Sequence, residues 1–200
     1  MWRATVRRWC ERALMRTALP LCGMLALHAC ATPDAAGTSR DSFRPMRTEP
    51  VIAWDCDVPA GSMSRLEYSL RAPAVRITGT IALVDIRPDP QWMPSATLRA
   101  GSADNRRFAG FQIRASPDAP ESLAIVAVVS DQKPSLLGTV PRSAEPLPVS
   151  LVQLPDGSVT IGVGSFERRL QGYTGASTLV TFACSSAEFG FKGFVVSGGR

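Results

Sequence analysis

The sequence predicts an all-β domain of antiparallel strands, and three observations carry that prediction. Short runs of alternating apolar and polar residues recur along residues 50–200, about ten to twelve in all, and they are rich in Val, Ile, Phe and Thr. Turn residues separate the runs, and most of the 16 prolines lie between them. No segment of this region keeps the i, i+3, i+4, i+7 apolar spacing of an amphipathic helix over three turns. Together these features predict a sandwich or a barrel.

The predicted strands follow one another along the chain with short connections. They cover residues 51–58, 65–70, 75–86, 96–100, 108–114, 123–129, 149–154, 158–163, 166–170, 179–184 and 188–196. The clearest hairpin signal is Pro155-Asp156-Gly157, because it stands between two alternating runs.

One stretch near the end of the chain resembles a known fold family. Residues 149–163 read Val-Ser-Leu-Val-Gln-Leu-Pro-Asp-Gly-Ser-Val-Thr-Ile-Gly-Val, which resembles a late hairpin of concanavalin A-like jelly rolls, the fold of lectin, laminin-G-like and glucanase domains. The closing strands are similar too, so the resemblance covers about the last 50 residues. It implies a jelly-roll β-sandwich whose first and last strands lie close together. A lipocalin-like β-barrel with an apolar lumen is the alternative architecture.

The first 29 residues are typical of an export signal. Residues 1–16 hold five arginines and one acidic residue, and a short apolar run follows from Ala18 to Leu27. This pattern describes a secretory signal peptide, and the run is well short of the roughly 20 apolar residues of a membrane-spanning helix. Leu27-His28-Ala29-Cys30 resembles the lipobox of bacterial lipoproteins. The resemblance implies cleavage before Cys30 and lipidation of that cysteine; a plain signal peptide cut nearby is the alternative.

The segment after Cys30 predicts how the domain is held. Residues 30–49 are rich in Thr, Ser, Ala, Pro and Arg, without periodic apolar residues, and we interpret them as a lipid-anchored flexible linker. A random coil of this length spans on the order of 25 Å. One domain follows over residues 50–200. Ala31 after the cysteine implies sorting to the outer membrane of a bacterial cell envelope, with the domain facing the periplasm.

The net charge and the number of available cysteines both fall once residues 1–29 are treated as a cleaved signal. The whole chain has 22 basic and 17 acidic residues, but residues 1–29 hold five of the former and one of the latter, which leaves a charge of about +1. No long run of like charges remains, so we expect no nucleic-acid partner.

Cys10 and Cys22 belong to the signal, whereas Cys56 and Cys184 remain in an oxidising compartment. A disulfide between these two is expected, with two separate buried thiols as the alternative.

The residue types of the domain exclude several kinds of catalysis. The only histidine, His28, lies in the predicted signal, so the domain has no Ser-His-Asp or Cys-His nucleophile system and no histidine metal ligand. The Glu-x-Asp-x-Glu string of jelly-roll glucanases does not occur, and we expect Asp55 and Asp57 on the solvent face of a strand. Residues 102–105, Ser-Ala-Asp-Asn, form the one loop that hints at calcium. We therefore expect no catalytic residue, no metal and no cofactor.

Two aromatic residues in loops are the candidate ligand-binding residues. Trp92 lies in the proline-rich loop 88–94, and Tyr173 lies between Gly172 and Gly175. Aromatic rings presented by loops suit sugar binding, whereas capping the ends of the sandwich is the alternative role for both. The sequence thus predicts a membrane-anchored envelope lipoprotein that binds a glycan or an envelope protein partner without catalysis. The alternatives are a jelly-roll glycoside hydrolase with paired carboxylates and a carrier of an apolar ligand.

Overall fold

The structure is a computed structural model, and it describes residues 51–116, 119–143 and 145–199. Twelve β-strands make up most of these residues. The predicted signal, linker and Cys30 lie outside these residues. The strands are β1 (Val51–Asp57), β2 (Met63–Leu70), β3 (Ala74–Ile86), β4 (Ser95–Gly101), β5 (Phe108–Ser116), β6 (Ala119–Val129), β7 (Ser135–Pro141), β8 (Leu147–Gln153), β9 (Ser158–Val163), β10 (Phe166–Gln171), β11 (Thr178–Ser185) and β12 (Ala187–Gly199). Within the same ranges, no helix is long and apolar enough to cross a membrane.

The strands form two six-stranded antiparallel sheets that pack face to face. The first sheet has the order β1-β12-β3-β8-β9-β10, and the second has the order β2-β11-β4-β5-β6-β7. The predicted jelly-roll sandwich of ten to twelve strands is confirmed, and β1 does pair with the last strand, β12. The barrel alternative is wrong for the described residues, because each sheet ends in two edge strands instead of closing on itself.

The core between the sheets is aromatic at its centre. Phe182 of β11 packs edge to face against Phe191 and Phe194 of β12, with ring centroids 5.9 and 5.0 Å apart. Because β11 and β12 belong to different sheets, these rings hold the two layers together. Trp54 of β1 stacks on Phe191 at 5.1 Å. Packed rings thus occupy the place where a carrier of the barrel type would have its lumen.

A disulfide also joins the two sheets. Cys56 of β1 and Cys184 of β11 are bonded, with their Cα atoms 6.2 Å apart, and both are buried in the core. The expected pairing is therefore confirmed, and the two-thiol alternative is wrong. The bond connects positions 128 residues apart.

Strand β7 is the one strand for which the sequence analysis predicted nothing. It pairs only with β6 at the edge of the second sheet, and Leu136 within it is exposed. Gly138 interrupts its alternation. A Cβ at that position would lie 2.3 Å from the ring of Phe166 on β10, so the glycine lets the two edge strands approach each other.

Candidate functional site

The outer face of the second sheet carries polar side chains on its central strands. Arg99 of β4 pairs with Gly110 of β5, and Gln112 and Arg114 follow at two-residue steps along β5. Side chains two positions apart lie on the same face of a strand, so these residues share one surface. The residues that alternate with them, such as Phe111, are buried in the core.

These side chains line a groove of about 370 Å³. Its walls are the β4–β5 loop, which contributes Arg106, and the β6–β7 loop, residues 130–134. The lining also includes the apolar side chains of Phe108 and Val128. The groove therefore combines cationic, amide and apolar groups on an otherwise regular sheet.

Arg99 is held in the groove by an aromatic ring instead of a carboxylate. The central carbon of its guanidinium lies 4.4 Å from the centre of the Phe108 ring. Burial lowers the pKa of Arg99, and the nearby charge of Glu67 partly opposes that effect. The Nε atom is buried without a hydrogen-bond partner among the described residues. Gly110 leaves the room for this side chain, because a Cβ there would lie 2.7 Å from the Cβ of Arg99.

Arg114 is oriented by the amide of its neighbour. Its Nε donates a hydrogen bond to Oε1 of Gln112 at 2.8 Å, and Nη2 donates to the same oxygen. Burial lowers the pKa of Arg114 as well. Within residues 51–116, 119–143 and 145–199, no carboxylate oxygen lies within 4 Å of the guanidinium nitrogens of Arg99 or Arg114. Among the described residues, Asp131 is the one carboxylate in the lining of the groove.

The loop that hinted at calcium satisfies its own polar groups. The Ser102 hydroxyl donates to Oδ1 of Asp104 at 2.5 Å, and the backbone N–H of Arg106 donates to the same atom at 3.1 Å. These two hydrogen bonds lower the pKa of Asp104, in that order of importance. In the described part of the chain, no group of three or more His, Cys, Asp or Glu side chains is placed to hold a metal ion.

Carboxylates from neighbouring strands meet at one place on the first sheet, around Arg87. This side chain pairs with Asp57 of β1, with Asp85 of β3 at 3.5 Å and with Glu188 of β12 at 3.6 Å. The hydrogen bond to Asp57 is the main cause that raises the pKa of Arg87. All three carboxylates thus contact one guanidinium, and each comes from a different strand. The cluster is therefore suited to holding three strands together. Asp55 and Asp57 lie on the solvent face of β1, as predicted.

The two candidate aromatic residues lie at opposite ends of the sandwich. Trp92 is 41% exposed and lies just before β4. The first residue of β4 pairs with the last residue of β11, so Trp92 lies near the C-terminal end of β11. Tyr173 precedes the first residue of β11 and packs on Gly175, where a Cβ would lie 1.8 Å from its hydroxyl oxygen. The length of β11, about 23 Å, separates the two ends. The structure does not bring the two rings into one site, and the binding role of each stays a prediction.

The groove was not predicted from the sequence, although the sequence carries a signal for it. Arg99 and Arg114 each interrupt a run of small and apolar residues, Leu98-Arg99-Ala100 and Ile113-Arg114-Ala115. Alternation assigns both to the outer face of a strand, but nothing in it shows that the two strands are neighbours. That information comes from the pairing of β4 with β5.

Comparison with known proteins finds only distant likeness to solved structures. No family model and no curated protein sequence matches the chain. Among solved structures, similar ones include a functionally unknown protein from Saccharomyces cerevisiae (14% identity, TM-score 0.48, 68% of this chain and 74% of that chain). An alginate lyase from Pseudomonas aeruginosa has 12% identity and a TM-score of 0.47 over 64% of this chain and 66% of that one. A carbohydrate-binding module from Bacillus subtilis has 9% identity and a TM-score of 0.46 over 77% and 98%. At such values the likeness carries no argument about ligand or activity.

Proposed function

We propose that this chain is a lipid-anchored protein of the bacterial cell envelope whose sandwich domain binds a glycan without cleaving it. The groove on the second sheet is the observation that supports the binding function. Gln132 and Ser130 supply amide and hydroxyl groups that can both donate and accept hydrogen bonds, as sugar hydroxyls require. Gln112 adds an amide NH2 donor, since its oxygen already accepts from Arg114. The half-buried ring of Phe108 supplies apolar surface for a sugar ring. The volume of about 370 Å³ falls in the range of small-ligand sites.

The distribution of carboxylates favours binding over hydrolysis. Glycoside cleavage by the paired-carboxylate route uses two carboxyls that face one bond. Of the described residues, only Asp131 contributes a carboxyl to the groove lining, while Asp57, Asp85 and Glu188 surround Arg87 on the other sheet.

The anchor in this proposal is the lipidated Cys30, and residues 30–49 are the linker. The support is the basic and apolar pattern of residues 1–29 and the lipobox-like Leu27-His28-Ala29-Cys30. Ala31 favours the outer membrane, and the domain would then face the periplasm. An envelope polysaccharide would lie within reach of a domain held in this way.

Binding of the full chain to a panel of neutral and acidic oligosaccharides, including peptidoglycan fragments, tests the proposal. We expect at least one glycan to bind, and Gln112→Ala to weaken its binding by about 3- to 10-fold through loss of a hydrogen bond. Gln171→Ala is the matched control, because Gln171 is an exposed amide at the end of β10 on the other sheet.

The same panel tests the two loop residues. Trp92→Ala and Tyr173→Ala are expected to leave binding in the groove unchanged, because each residue lies beyond one end of the strands that form it. If Trp92→Ala abolished binding and Gln112→Ala had no effect, the site would be the loop and not the groove. If no glycan bound, or if an envelope protein were the ligand, the proposal would be wrong.

A further inference from the structure

Within the part of the chain that the structure describes, Arg99 and Arg114 of the groove have no carboxylate partner, unlike the arginines that form ion pairs. Arg65, Arg87 and Arg169 each contact a carboxylate within 4 Å. Arg99 instead lies over an aromatic ring, and Arg114 is bonded to a neutral amide. Both side chains are half-buried, and a guanidinium that loses water without gaining an anion is destabilising. A ligand that brings a negative charge would remove this cost.

The net charge of the residues that line the groove also favours an anionic ligand. Among the residues that the structure describes, the lining holds three guanidiniums, from Arg99, Arg106 and Arg114, and one carboxylate, from Asp131. Arg106 is partly neutralised by Asp104, whose carboxylate lies 3.7 Å away at the rim. The excess positive charge is therefore concentrated on Arg99 and Arg114, which lie on the strands that form the floor of the groove.

The spacing of these two arginines indicates a chain with repeated charges. Arg99 leans towards Phe108, and Arg114 leans towards Gln112. Those two supporting residues are four positions apart on β5, which corresponds to about 13 Å. This distance exceeds the span of one sugar ring. Gly110 lies midway between them and leaves the floor without a side chain.

We infer that the ligand of this groove is a glycan with carboxylates on successive sugars, a uronic-acid oligosaccharide, and that it lies along β5 with separate carboxylates on Arg99 and Arg114. This inference rests on the proposed function and names its ligand class. Guanidinium–carboxylate pairs are geometrically specific and stronger than neutral hydrogen bonds. The amide and hydroxyl groups of the groove would then bind the sugar hydroxyls between the two charges.

The test measures binding of the full chain to oligogalacturonate, oligomannuronate and oligoglucuronate. Each is paired with the same oligosaccharide after reduction of its carboxyls to hydroxymethyl groups. We expect at least one acid to bind, its reduced form to bind at least about 10-fold more weakly, and binding of the acid to weaken as salt is raised. The monomeric uronic acid should bind more weakly than the oligomer, because it reaches only one arginine.

Variants assign the effect to the two arginines. Arg99→Gln and Arg114→Gln should each weaken binding of the acid by about 10- to 100-fold and leave binding of the reduced form nearly unchanged. Arg168→Gln removes the same charge from an exposed position on β10 and should have no effect. Should Arg99→Gln fail to fold, the salt dependence and the reduced ligands still decide the matter with the unmodified chain.

The possible failures are distinguishable. Equal binding of acidic and reduced glycans, with both arginine variants unaffected, would overturn this inference and leave glycan binding intact. Absence of binding to every glycan would overturn both. Equally tight binding of poly-glutamate with the same dependence on Arg99 and Arg114 would show a general anion site and would overturn the assignment to a glycan.

Discussion

The guanidinium of Arg99 lies over the ring of Phe108, with 4.4 Å between its central carbon and the ring centre. The two residues come from adjacent strands, β4 and β5, and both line the groove on the second sheet. The ring holds the cation in place without occupying its hydrogen-bond donors. The contact therefore leaves the hydrogen-bond donors of Arg99 available to the ligand that we infer.

The first prediction concerns the strength of this contact. A double-mutant cycle with Arg99→Gln, Phe108→Leu and the combined variant should give a coupling free energy of about 0.5–1 kcal/mol in the free energy of unfolding. Denaturant unfolding measures it. Strict additivity of the two single substitutions would mean that the contact does not contribute to stability.

A second prediction concerns Gly79 of β3, which faces the core. A Cβ at this position would lie 2.5 Å from the Phe194 ring. Gly79→Ala should therefore overpack the centre of the sandwich and lower the free energy of unfolding by about 1–3 kcal/mol. Gly199→Ala on β12 is the control, because its Cβ would meet its nearest neighbour at an ordinary 3.5 Å. Equal stability of the two variants would contradict this account.

The third prediction concerns the disulfide between Cys56 and Cys184. The bond closes a loop across 128 positions, so replacing both cysteines by alanine should cost about 5 kcal/mol in the chain-entropy estimate. Unfolding with and without reductant measures the difference. The double variant should also lose all sensitivity to reductant; sensitivity that persisted would show that other cysteines are involved.

The fourth prediction concerns Asp104 and acid. The Ser102 hydroxyl and the Arg106 N–H lower the pKa of Asp104 in the folded state. The carboxylate therefore contributes to stability above its unfolded pKa of about 3.9. This contribution is lost as pH falls through the folded pKa. Ser102→Ala should raise the pKa of Asp104 towards its ordinary value, as followed by NMR titration. Ser158→Ala should act in the same way on Asp156, which accepts hydrogen bonds from the hydroxyl and the N–H of Ser158. Each variant is the control for the other, and a pKa of Asp104 that did not move in Ser102→Ala would refute the assigned cause.

The fifth prediction concerns the anchor, which lies outside the described residues. Mass spectrometry of the exported protein should find Cys30 as an acylated first residue, and Cys30→Ala should release the protein from the membrane fraction. Cys22→Ala, within the predicted signal, should leave the anchor intact. An unmodified N-terminus at any other residue would show a plain signal peptide instead.

The part of the fold that could be predicted from sequence is the part that depends on neighbouring residues. Alternation of apolar and polar side chains identified eleven of the twelve strands, and the exception, β7, is an edge strand whose pattern Gly138 breaks. The disulfide was expected because only Cys56 and Cys184 remain once residues 1–29 are interpreted as a signal and Cys30 as the lipidation site. The ligand-binding prediction rested on Trp92 and Tyr173, which are conspicuous in sequence but lie at opposite ends of the sandwich.

The sequence by itself determined most of the strand content and which two cysteines remain to pair after the predicted signal, because each depends on composition or on a period of two along the chain. Only the tertiary structure decided which strands are neighbours and which outer face carries a groove. Arg99 meets Phe108 through the pairing of β4 with β5, and Arg87 gathers carboxylates from β1, β3 and β12. Such juxtapositions depend on register and sheet order, which are set by packing across the whole core.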